Sequence, residues 1–296
     1  MSTYIKLVLT AIFWGGTFIA GRMVSQEVLP FSAAFLRFTI ASAFLIVVVW
    51  KVEGRLPAIE RSLIVPLLLL GFTGVFAYNF FFFNGLHSID AGRAALIIAL
   101  NPVMISLFSA IFFKESLTPI KVTGILLSVF GAMTVISRGN PLLIFQGHLG
   151  WGELNILGCV ISWVSFSLIG KTVLGKISPV VSICYSSIAG AVALMLPAGM
   201  EGVWRRIPDY SFKSWAALVY LGFFGTVLGF VWYYEGIQKI GPTKAGLFIN
   251  VVPLSAVLLA FFMLDEPLTR SLLIGAMLVV SGIYLTNWAP YSRGRG

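Results

Sequence analysis

Residues 71–135 read "GFTGVFAYNFFFFNGLHSIDAGRAALIIALNPVMISLFSAIFFKESLTPIKVTGILLSVFGAMTV" and residues 222–286 read "GFFGTVLGFVWYYEGIQKIGPTKAGLFINVVPLSAVLLAFFMLDEPLTRSLLIGAMLVVSGIYLT". The two stretches align without a gap at an offset of 151 residues, and 17 of their 65 positions are identical. Apolar composition alone would match many Leu and Val positions, but it would not match Gly, Pro, Glu and Thr in register, so the chain contains an internal repeat. The matched pairs of these four types are Gly71/Gly222, Gly74/Gly225, Gly85/Gly236, Pro102/Pro253, Glu115/Glu266, Thr118/Thr269, Gly124/Gly275 and Gly131/Gly282.

The repeat extends upstream of both stretches. There the offset becomes 149 residues, which pairs Trp14 with Trp163. We therefore divide the chain into two homologous five-helix halves, residues 1–150 and residues 151–296, which together form one membrane domain.

The composition is that of an integral membrane protein. Of the 296 residues, 58% are hydrophobic and only 10% are charged, and the mean hydropathy is +0.97. A soluble domain carries about 25% charged residues, so this chain cannot cover the surface of a soluble enzyme. The composition equally excludes a disordered chain and a disulfide-stapled secreted scaffold. Ten apolar runs approach the roughly 20 residues that a membrane-spanning helix needs. They lie at 4–24, 31–50, 63–86, 91–113, 118–137, 151–172, 179–199, 213–237, 242–264 and 269–288.

The expected fold is all-α, with ten transmembrane helices arranged as two inverted-topology five-helix repeats. Five is an odd number, so the second half must enter the membrane from the opposite side. Inverted repeats are typical of transporters, because exchanging the conformations of the two halves converts an inward-open state into an outward-open one. The alternative is a duplicated bundle with no moving parts. The first run, 4–24, is longer than a signal-peptide core of roughly 7–15 residues, so we predict that it is retained.

The distribution of Lys and Arg predicts the orientation. If the N-terminus is inside, twelve basic residues fall on inner loops and tails: Lys6, Lys51, Arg55, Arg61, Lys114, Lys121, Lys171, Lys176, Lys239, Lys244, Arg293 and Arg295. Seven fall at outer ends: Arg22, Arg93, Arg138, Arg205, Arg206, Lys213 and Arg270. This excess favours a cytoplasmic location for both termini. The basic residues form no cluster, so the net charge of +9 does not indicate a nucleic-acid partner.

Several segments resemble a known family. "NPVMISLFSAIFFKESLTPIKVTGILLSVFGA" at 101–132 and "VVPLSAVLLAFFMLDEPLTRSLLIGAMLVVSG" at 251–282 are similar to the two signature segments of EamA-type proteins in the drug/metabolite transporter superfamily. "FWGGTFIAGR" at 13–22, followed by "FLRF" at 35–38, is similar to the start of that family. The resemblance implies a bacterial inner-membrane exporter of amino acids or related metabolites, although these motifs say little about the substrate.

Pro102 and Pro253 lie near the middle of the fourth and ninth apolar runs. A proline inside a helix removes one backbone hydrogen bond and kinks the helix, and the freed carbonyl must face protein or a cavity. We predict that the two prolines act as hinges and that the nearby Asn101 and Asn250 line a substrate cavity. The alternative is a packing kink whose asparagines bond neighbouring helices.

Aromatic residues recur in matched runs. Trp14 and Trp163 lie about halfway along the first and sixth runs, too deep for interfacial anchors, and a deep indole N–H needs a partner or a cavity. The third and eighth runs add further candidates for a cavity wall, which are Tyr78, Asn79, Phe230, Tyr233 and Tyr234. Such a wall suits a small zwitterion or amphiphile better than a phosphate. The alternative is an aromatic stripe that packs against neighbouring helices.

Arg37 is the one basic residue well inside an apolar run, roughly 9 Å along the helix from Phe31. Its side chain either extends outward to the membrane surface or pairs with a substrate carboxylate. Its counterpart in the second half is Ser186, so this feature breaks the pseudo-symmetry of the repeat.

Two further motifs have structural interpretations. Glu115 and Glu266 begin matched "ExLT" pieces, and we expect these carboxylates and the Thr hydroxyls to cap the helices that follow. Gly225 and Gly229 form a GxxxG motif, which permits close packing of a neighbouring helix.

The sequence lacks the usual groups of an ion-coupled or ATP-driven pump. No Asp or Glu lies at the centre of an apolar run, and the deepest candidates are Glu153 and Glu235. Coupled carriers usually need a buried carboxylate, so we expect facilitated diffusion. No GxxxxGK[ST] phosphate loop, HExxH motif or Cys/His cluster occurs, so we expect no cofactor and no metal site. Cys159 and Cys184 lie inside apolar runs and are expected to be inert.

These observations predict a transporter that exports small organic solutes by alternating access, and the family resemblance favours amino acids or related metabolites. The alternatives are a proton-coupled drug/metabolite antiporter and a lipid-handling membrane protein. An enzyme is disfavoured because no acid/base constellation lies within a run. We expect a multi-pass protein of the inner (plasma) membrane whose partners are a small-molecule substrate and the lipid bilayer. Both a monomer and a homodimer remain open.

Overall fold

The structure, a computed structural model, describes residues 2–114, 118–140, 150–173, 176–240 and 247–287. These residues form helices joined by short loops and contain no β-strand. Their α-helices are α1 (Thr3–Ser25), α2 (Pro30–Glu53), α3 (Arg61–Leu70), α4 (Tyr78–Ser88), α5 (Ala91–Ile98), α6 (Asn101–Phe113), α7 (Pro119–Ile136), α8 (Trp151–Val173), α9 (Pro179–Met200), α10 (Val203–Arg206), α11 (Phe212–Val219), α12 (Gly229–Ile240), α13 (Val252–Leu264) and α14 (Arg270–Asn287). Two segments are π-helical: the first π-helix (Gly71–Ala77) and the second π-helix (Tyr220–Leu228). Two are 3₁₀-helical: Ile207–Asp209 and Leu247–Val251.

Eight helical segments are long and apolar enough to cross a membrane. They are Thr3–Ser25, Pro30–Glu53, Arg61–Ser88, Ala91–Phe112, Pro119–Ile136, Trp151–Gly170, Pro179–Met200 and Phe212–Gly236. The last two apolar helices, α13 and α14, are shorter. Each apolar run of the sequence thus coincides with helix, although the first residues of the ninth run, 242–246, lie outside the described residues. The expectation of an all-helical protein with many membrane spans is confirmed.

Proline begins three of the long helices. Pro30, Pro119 and Pro179 occupy the first turns of α2, α7 and α9. The N–H that proline lacks has no partner within a first turn, so these positions tolerate it. Gly54 ends α2 with a φ of 72°, a left-handed conformation that glycine adopts without steric cost.

The last helices of the two halves, α7 and α14, lie backbone to backbone. A Cβ atom added to Gly124 would lie 2.6 Å from the Gly282 carbonyl oxygen, and one added to Gly131 would lie 2.8 Å from the Gly275 carbonyl oxygen. The reverse contacts are equally close, at 2.5 Å from Gly282 to Gly124 and 2.8 Å from Gly275 to Gly131. The early glycine of each helix therefore meets the late glycine of the other, so the helices run antiparallel. Only glycine permits this approach.

The second helix of each half, α2 or α9, also packs against its counterpart in antiparallel fashion. Glu201 after α9 accepts hydrogen bonds from the N–H groups of Phe31 and Ser32 at the start of α2, at 3.1 and 2.7 Å. Glu53 at the end of α2 accepts one from the Ser178 hydroxyl, immediately before α9, at 2.6 Å. Each carboxylate thus lies at the N-terminus of the other helix, where the helix dipole favours a negative charge.

The two π-helices occupy matched positions of the repeat, and the sequence analysis predicted neither. Each contains a matched glycine that touches a helix of the opposite half. A Cβ atom on Gly71 would lie 2.8 Å from the Ser186 carbonyl oxygen of α9, and one on Gly222 would lie 3.0 Å from the Arg37 carbonyl oxygen of α2. π-Helical turns are rare and frequently occur at functional sites, so these positions merit a search for polar groups.

Contacts between helix ends define two ends of the bundle. At the amino-terminal end, where α1 begins, Lys6 pairs with Glu235 of α12 at 2.5 Å. At the distal end, where α1 finishes, Arg93 of α5 pairs with Glu153 of α8 at 2.9 Å. Both ion pairs connect the first half to the second. The largest buried apolar cluster also joins the halves, with Phe83 of α4 among its members.

Candidate functional site

A cluster of aromatic rings links the two halves midway along α1 and α8. The ring of Trp14 on α1 lies 5.6 Å from that of Phe230 and 5.4 Å from that of Tyr233, measured between centroids. The ring of Trp163 on α8 lies 6.5 Å from that of Phe230 and 5.4 Å from that of Tyr78. We call these five residues the aromatic cluster. All five are only partly buried, so each retains accessible ring surface.

The tryptophan of α1 fits against the second π-helix. The Trp14 indole N–H donates to the Gly225 carbonyl at 3.0 Å, and a Cβ atom on Gly229 would lie 2.5 Å from the indole nitrogen. A Cβ atom on Gly225 would meet Thr17 of α1 at 2.6 Å. The GxxxG motif therefore receives α1, and the deep indole has the polar partner that burial requires. Tyr234 adjoins the cluster through Phe230, at 6.4 Å between ring centroids.

Arg37 is buried, with only 8% of its surface exposed. The interpretation that its side chain extends outward to the membrane surface is wrong. Its Nη1 donates to Asn79 Oδ1 at 2.8 Å and its Nη2 donates to Thr226 Oγ1 at 3.5 Å. Its Nε has no hydrogen-bond partner among the described residues. The guanidinium thus connects α2 to Asn79, which follows the first π-helix, and to Thr226, which lies within the second π-helix.

The two partners of Arg37 are held by π-helical turns. The Asn79 amide nitrogen donates to the Val75 carbonyl at 2.8 Å and to the Gly74 carbonyl at 3.4 Å, so its oxygen must face Arg37. The Thr226 hydroxyl donates to the carbonyl of Leu221, five residues earlier, at 3.0 Å. The acceptor oxygens therefore occupy positions that the backbone determines.

The prolines predicted to kink a continuous helix lie instead just after a break. α5 ends at Ile98, two turn residues follow, and α6 begins at Asn101 with Pro102 in its first turn. The corresponding segment of the second half is 3₁₀-helical until α13 begins, with Pro253 in the first turn. The proline removes no helical hydrogen bond at these positions, because first-turn N–H groups have no intrahelical partner.

Of the two asparagines near these breaks, only Asn101 has a described side chain, and among the described residues it does not join the aromatic cluster. Asn101 is buried, its Oδ1 lacks a hydrogen-bond partner, and it makes no hydrogen bond to the cluster. The side chain of Asn250 lies outside the described residues. A cavity role for either residue therefore stays a prediction.

Glu266 caps a helix, but not the helix that follows it. Its carboxylate accepts hydrogen bonds from the N–H groups of Ala91 at 2.7 Å and Gly92 at 2.9 Å, the first residues of α5 in the opposite half. α14 is capped by Thr269, which accepts from the Leu272 N–H at 3.2 Å. Burial raises the pKa of Glu266, and its backbone hydrogen bonds oppose that shift. Glu115, the matched residue of the first half, lies outside the described residues, so its capping role stays a prediction.

An open cavity of about 520 Å³ lies at the distal end, beside these capping contacts. Its wall includes Arg22, Glu27, Asp90, Ser211, Lys213, Ser214 and Glu266. Glu27 accepts hydrogen bonds from the Ser211 N–H and hydroxyl, both at 2.6 Å, and from the Ser214 hydroxyl. These bonds lower the pKa of Glu27 from its ordinary value. The cavity is therefore polar and carries charges of both signs.

The two carboxylates that lie deepest in the sequence runs are both neutralised by bases. Glu153 is 7% exposed, and Arg93 donates to it and to the carbonyls of Val135 and Ile136. Glu235 is more exposed and pairs with Lys6.

Sequence reasoning missed Thr226 and the structural role of Arg93. Thr226 aligns with Val75 in the repeat, so it is a polar residue that the other half lacks. Arg37 is equally unmatched, because Ser186 stands at its counterpart position. Polar residues that occur in only one half were therefore the available signal for this site. Arg93 was counted only for its charge, because a partner sixty residues away cannot be identified from spacing.

The model of the EamA-like transporter family matches residues 1–137 and 150–288. "Uncharacterized transporter YyaM" of Bacillus subtilis is 29% identical over 283 residues, which covers 96% of this chain and 92% of that protein. A "Probable terminal-alkyne amino-acid exporter" of Streptantibioticus cattleyicolor is 27% identical over 98% of this chain and 94% of its own length. One solved crystal structure shares the fold, with a TM-score of 0.63 and 23% identity over 97% of both chains.

Proposed function

The chain belongs to the EamA-like transporter family, and we propose that it exports small organic solutes, namely amino acids or related metabolites, across the inner membrane. The family match over both halves carries this proposal. The relative named as a probable amino-acid exporter supports the substrate class. Partly exposed rings on α1, α4, α8 and α12, with few polar groups among them, suit a small zwitterion better than a polyanion.

We propose that transport proceeds by alternating access between two inverted five-helix halves. The antiparallel pairing of α7 with α14 and of α2 with α9 supports this arrangement, because a two-fold axis in the membrane plane reverses each helix relative to its counterpart. The pairs Lys6–Glu235 and Arg93–Glu153 then join the halves at opposite ends of the bundle. Opening one end requires the pair at that end to separate.

The proposed solute cavity is lined by the aromatic cluster, Tyr234, Asn79 and Arg37, with Asn101 and Asn250 contributing from the broken helices. Pro102 and Pro253 follow those breaks and serve as hinges. Bending a membrane helix at a break disrupts fewer backbone hydrogen bonds than bending a continuous helix, so motion concentrates at the breaks.

We propose facilitated diffusion as the mode of energy coupling. The ion pairs of Glu153 with Arg93 and of Glu235 with Lys6 support it, because each carboxylate already has a basic partner. Proton-coupled antiport is the second candidate, and the burial of the Glu153 carboxylate favours it.

The transport proposal is tested in proteoliposomes loaded with a panel of labelled L-amino acids. Efflux should depend on the protein and should saturate. Trp14→Ala and Trp163→Ala should each slow it by about 10-fold, since each removes a ring from the cluster. Trp50→Ala is the matched control, because Trp50 is 65% exposed on α2 and should leave efflux unchanged. Absence of protein-dependent efflux for every solute in the panel would contradict the proposal.

The coupling proposal needs a separate measurement. Efflux is followed with and without an imposed pH gradient while the membrane potential is clamped. Facilitated diffusion predicts that the solute moves only down its own gradient. Movement against the solute gradient that is lost in Glu153→Gln would instead establish proton-coupled antiport.

A further inference from the structure

We propose that the guanidinium of Arg37 binds the carboxylate of the transported solute, so that the protein selects solutes that carry this group. The proposal rests on the transport function above and specifies its substrate class.

Arg37 is a buried cation without a counter-charge. None of the carboxylates in the described part of the chain forms an ion pair with it. Both of its hydrogen-bond acceptors, Asn79 and Thr226, are neutral. An unpaired buried charge is costly, and in membrane proteins such a group normally faces a partner or a pathway. A negatively charged ligand supplies the missing charge.

The guanidinium also has unused hydrogen-bonding capacity in the geometry that a carboxylate needs. Arginine carries five N–H donors in one plane. Nε is buried and unpaired, and the contact from Nη2 to Thr226 is long at 3.5 Å. A carboxylate accepts two parallel N–H bonds from such an edge, and charge-assisted bonds of this kind are shorter and stronger than neutral ones.

The surroundings of Arg37 place the rest of the solute. Asn79, which holds the Arg37 guanidinium, directly follows Tyr78, and Tyr78 is a member of the aromatic cluster that lies 5.4 Å from Trp163 between ring centroids. A solute whose carboxylate meets Arg37 therefore extends its ammonium and side chain along partly exposed rings. Aromatic faces attract both apolar groups and cations.

Solute binding at this site would also change a contact between the two halves. Arg37 belongs to the first half, whereas Thr226 belongs to the second half and lies in its π-helix. A carboxylate that takes over the long contact to Thr226 removes a direct bond between the halves. Because Ser186 stands at the matched position, the chain contains one such site and not two.

The test compares L-phenylalanine and L-leucine with their amides, which keep the side chain and lack the carboxylate. In proteoliposomes, the wild-type protein should transport each acid about 10- to 100-fold more efficiently than its amide, the range expected for losing one or two hydrogen bonds to a charged group. Arg37→Gln should abolish this preference, and Arg37→Lys should retain part of it. Lys213→Gln removes a basic charge from the distal cavity and should leave the preference unchanged.

Binding is measured independently of the variants, so that a poorly folded Arg37→Gln protein does not decide the result. The acid should raise the Tm of the detergent-solubilised wild-type protein, and the amide should not. Equal transport or equal stabilisation by acid and amide overturns the Arg37 proposal but leaves the transporter proposal intact. A protein that transports neither the acids, the amides nor any other amino acid contradicts the proposed function itself. An equal loss of preference in Lys213→Gln would assign the selectivity to general electrostatics and overturn the role of Arg37.

Discussion

Adding one methyl group between α7 and α14 should measurably destabilise the protein. In Gly282→Ala the new Cβ atom would lie 2.5 Å from the Gly124 carbonyl oxygen and 2.6 Å from the Ser128 backbone nitrogen. A close C···O contact needs roughly 3.3 Å, so the backbones must separate by about 0.8 Å. The Ser128 hydroxyl oxygen is nearer still and can rotate away, but the other two atoms belong to the backbone and cannot. Overpacking of this kind costs about 1–3 kcal/mol.

The matched control is Gly170→Ala on α8. An added Cβ atom there meets no described atom within 4 Å. Both substitutions replace a helical glycine by alanine and gain the same helix propensity, of about 1 kcal/mol. The difference between the two variants therefore isolates the contact between α7 and α14.

The assay is thermal unfolding of the purified protein in detergent. At about 2–4 °C per kcal/mol, Gly282→Ala should melt roughly 2–12 °C below Gly170→Ala. Gly131→Ala should behave like Gly282→Ala, because its Cβ atom would lie 2.7 Å from the Val279 backbone nitrogen. Equal melting temperatures for Gly282→Ala and Gly170→Ala would refute the backbone-to-backbone packing of these helices.

Three further expectations concern orientation, hinges and acid stability. Cysteine introduced at Ser2, or at Ser292 outside the described residues, should react with an impermeant thiol reagent only from the cytoplasmic side. Labelling of either cysteine in intact cells from outside would contradict the cytoplasmic location of the termini. Pro102→Ala and Pro253→Ala should each slow solute efflux from proteoliposomes without loss of membrane insertion, because alanine would allow a continuous helix to form through the break that precedes each proline; normal rates in both would exclude hinges. The lowered pKa of Glu27 gives a stabilisation that is present above its ordinary value of 4.5 and lost as the pH falls through the depressed pKa, so Glu27→Gln should flatten the acid limb of a plot of Tm against pH.

The helix bounds could be predicted because the bilayer sets them. A span needs about 20 apolar residues, and the runs that end at prolines and charged loops match the observed helices within a few residues. The depth of both matched tryptophans could also be predicted from the sequence, whereas their shared contact with Phe230 could not. These features depend on local composition and on the repeat, which a single sequence contains.

The features that sequence reasoning missed depend on tertiary contacts. A π-helix differs from an α-helix only in its hydrogen-bond register, and the matched glycines that accompany it have no distinctive local pattern. Glu266 lies just before α14, where a carboxylate would be expected to cap that helix. Its carboxylate instead accepts hydrogen bonds from the N–H groups of Ala91 and Gly92 in the other half. Arg37 has a stem long enough to reach a membrane surface, yet Asn79 holds it inside. In each case the deciding partner is remote in sequence.

Matched and unmatched positions of the repeat have different physical roles. Matched glycines such as Gly131 and Gly282 form the backbone contacts, because a pseudo-two-fold scaffold must satisfy the same close approach twice. The polar group around Arg37 is unmatched: Ser186 replaces Arg37, and Val75 replaces Thr226. A solute with a carboxylate at one end has no two-fold symmetry, so its two ends need different partners. Under the proposed mechanism, a two-fold scaffold transports an asymmetric solute only if symmetry is broken at the residues that contact it, and the group formed by Arg37, Asn79 and Thr226 is one place where the repeat is broken.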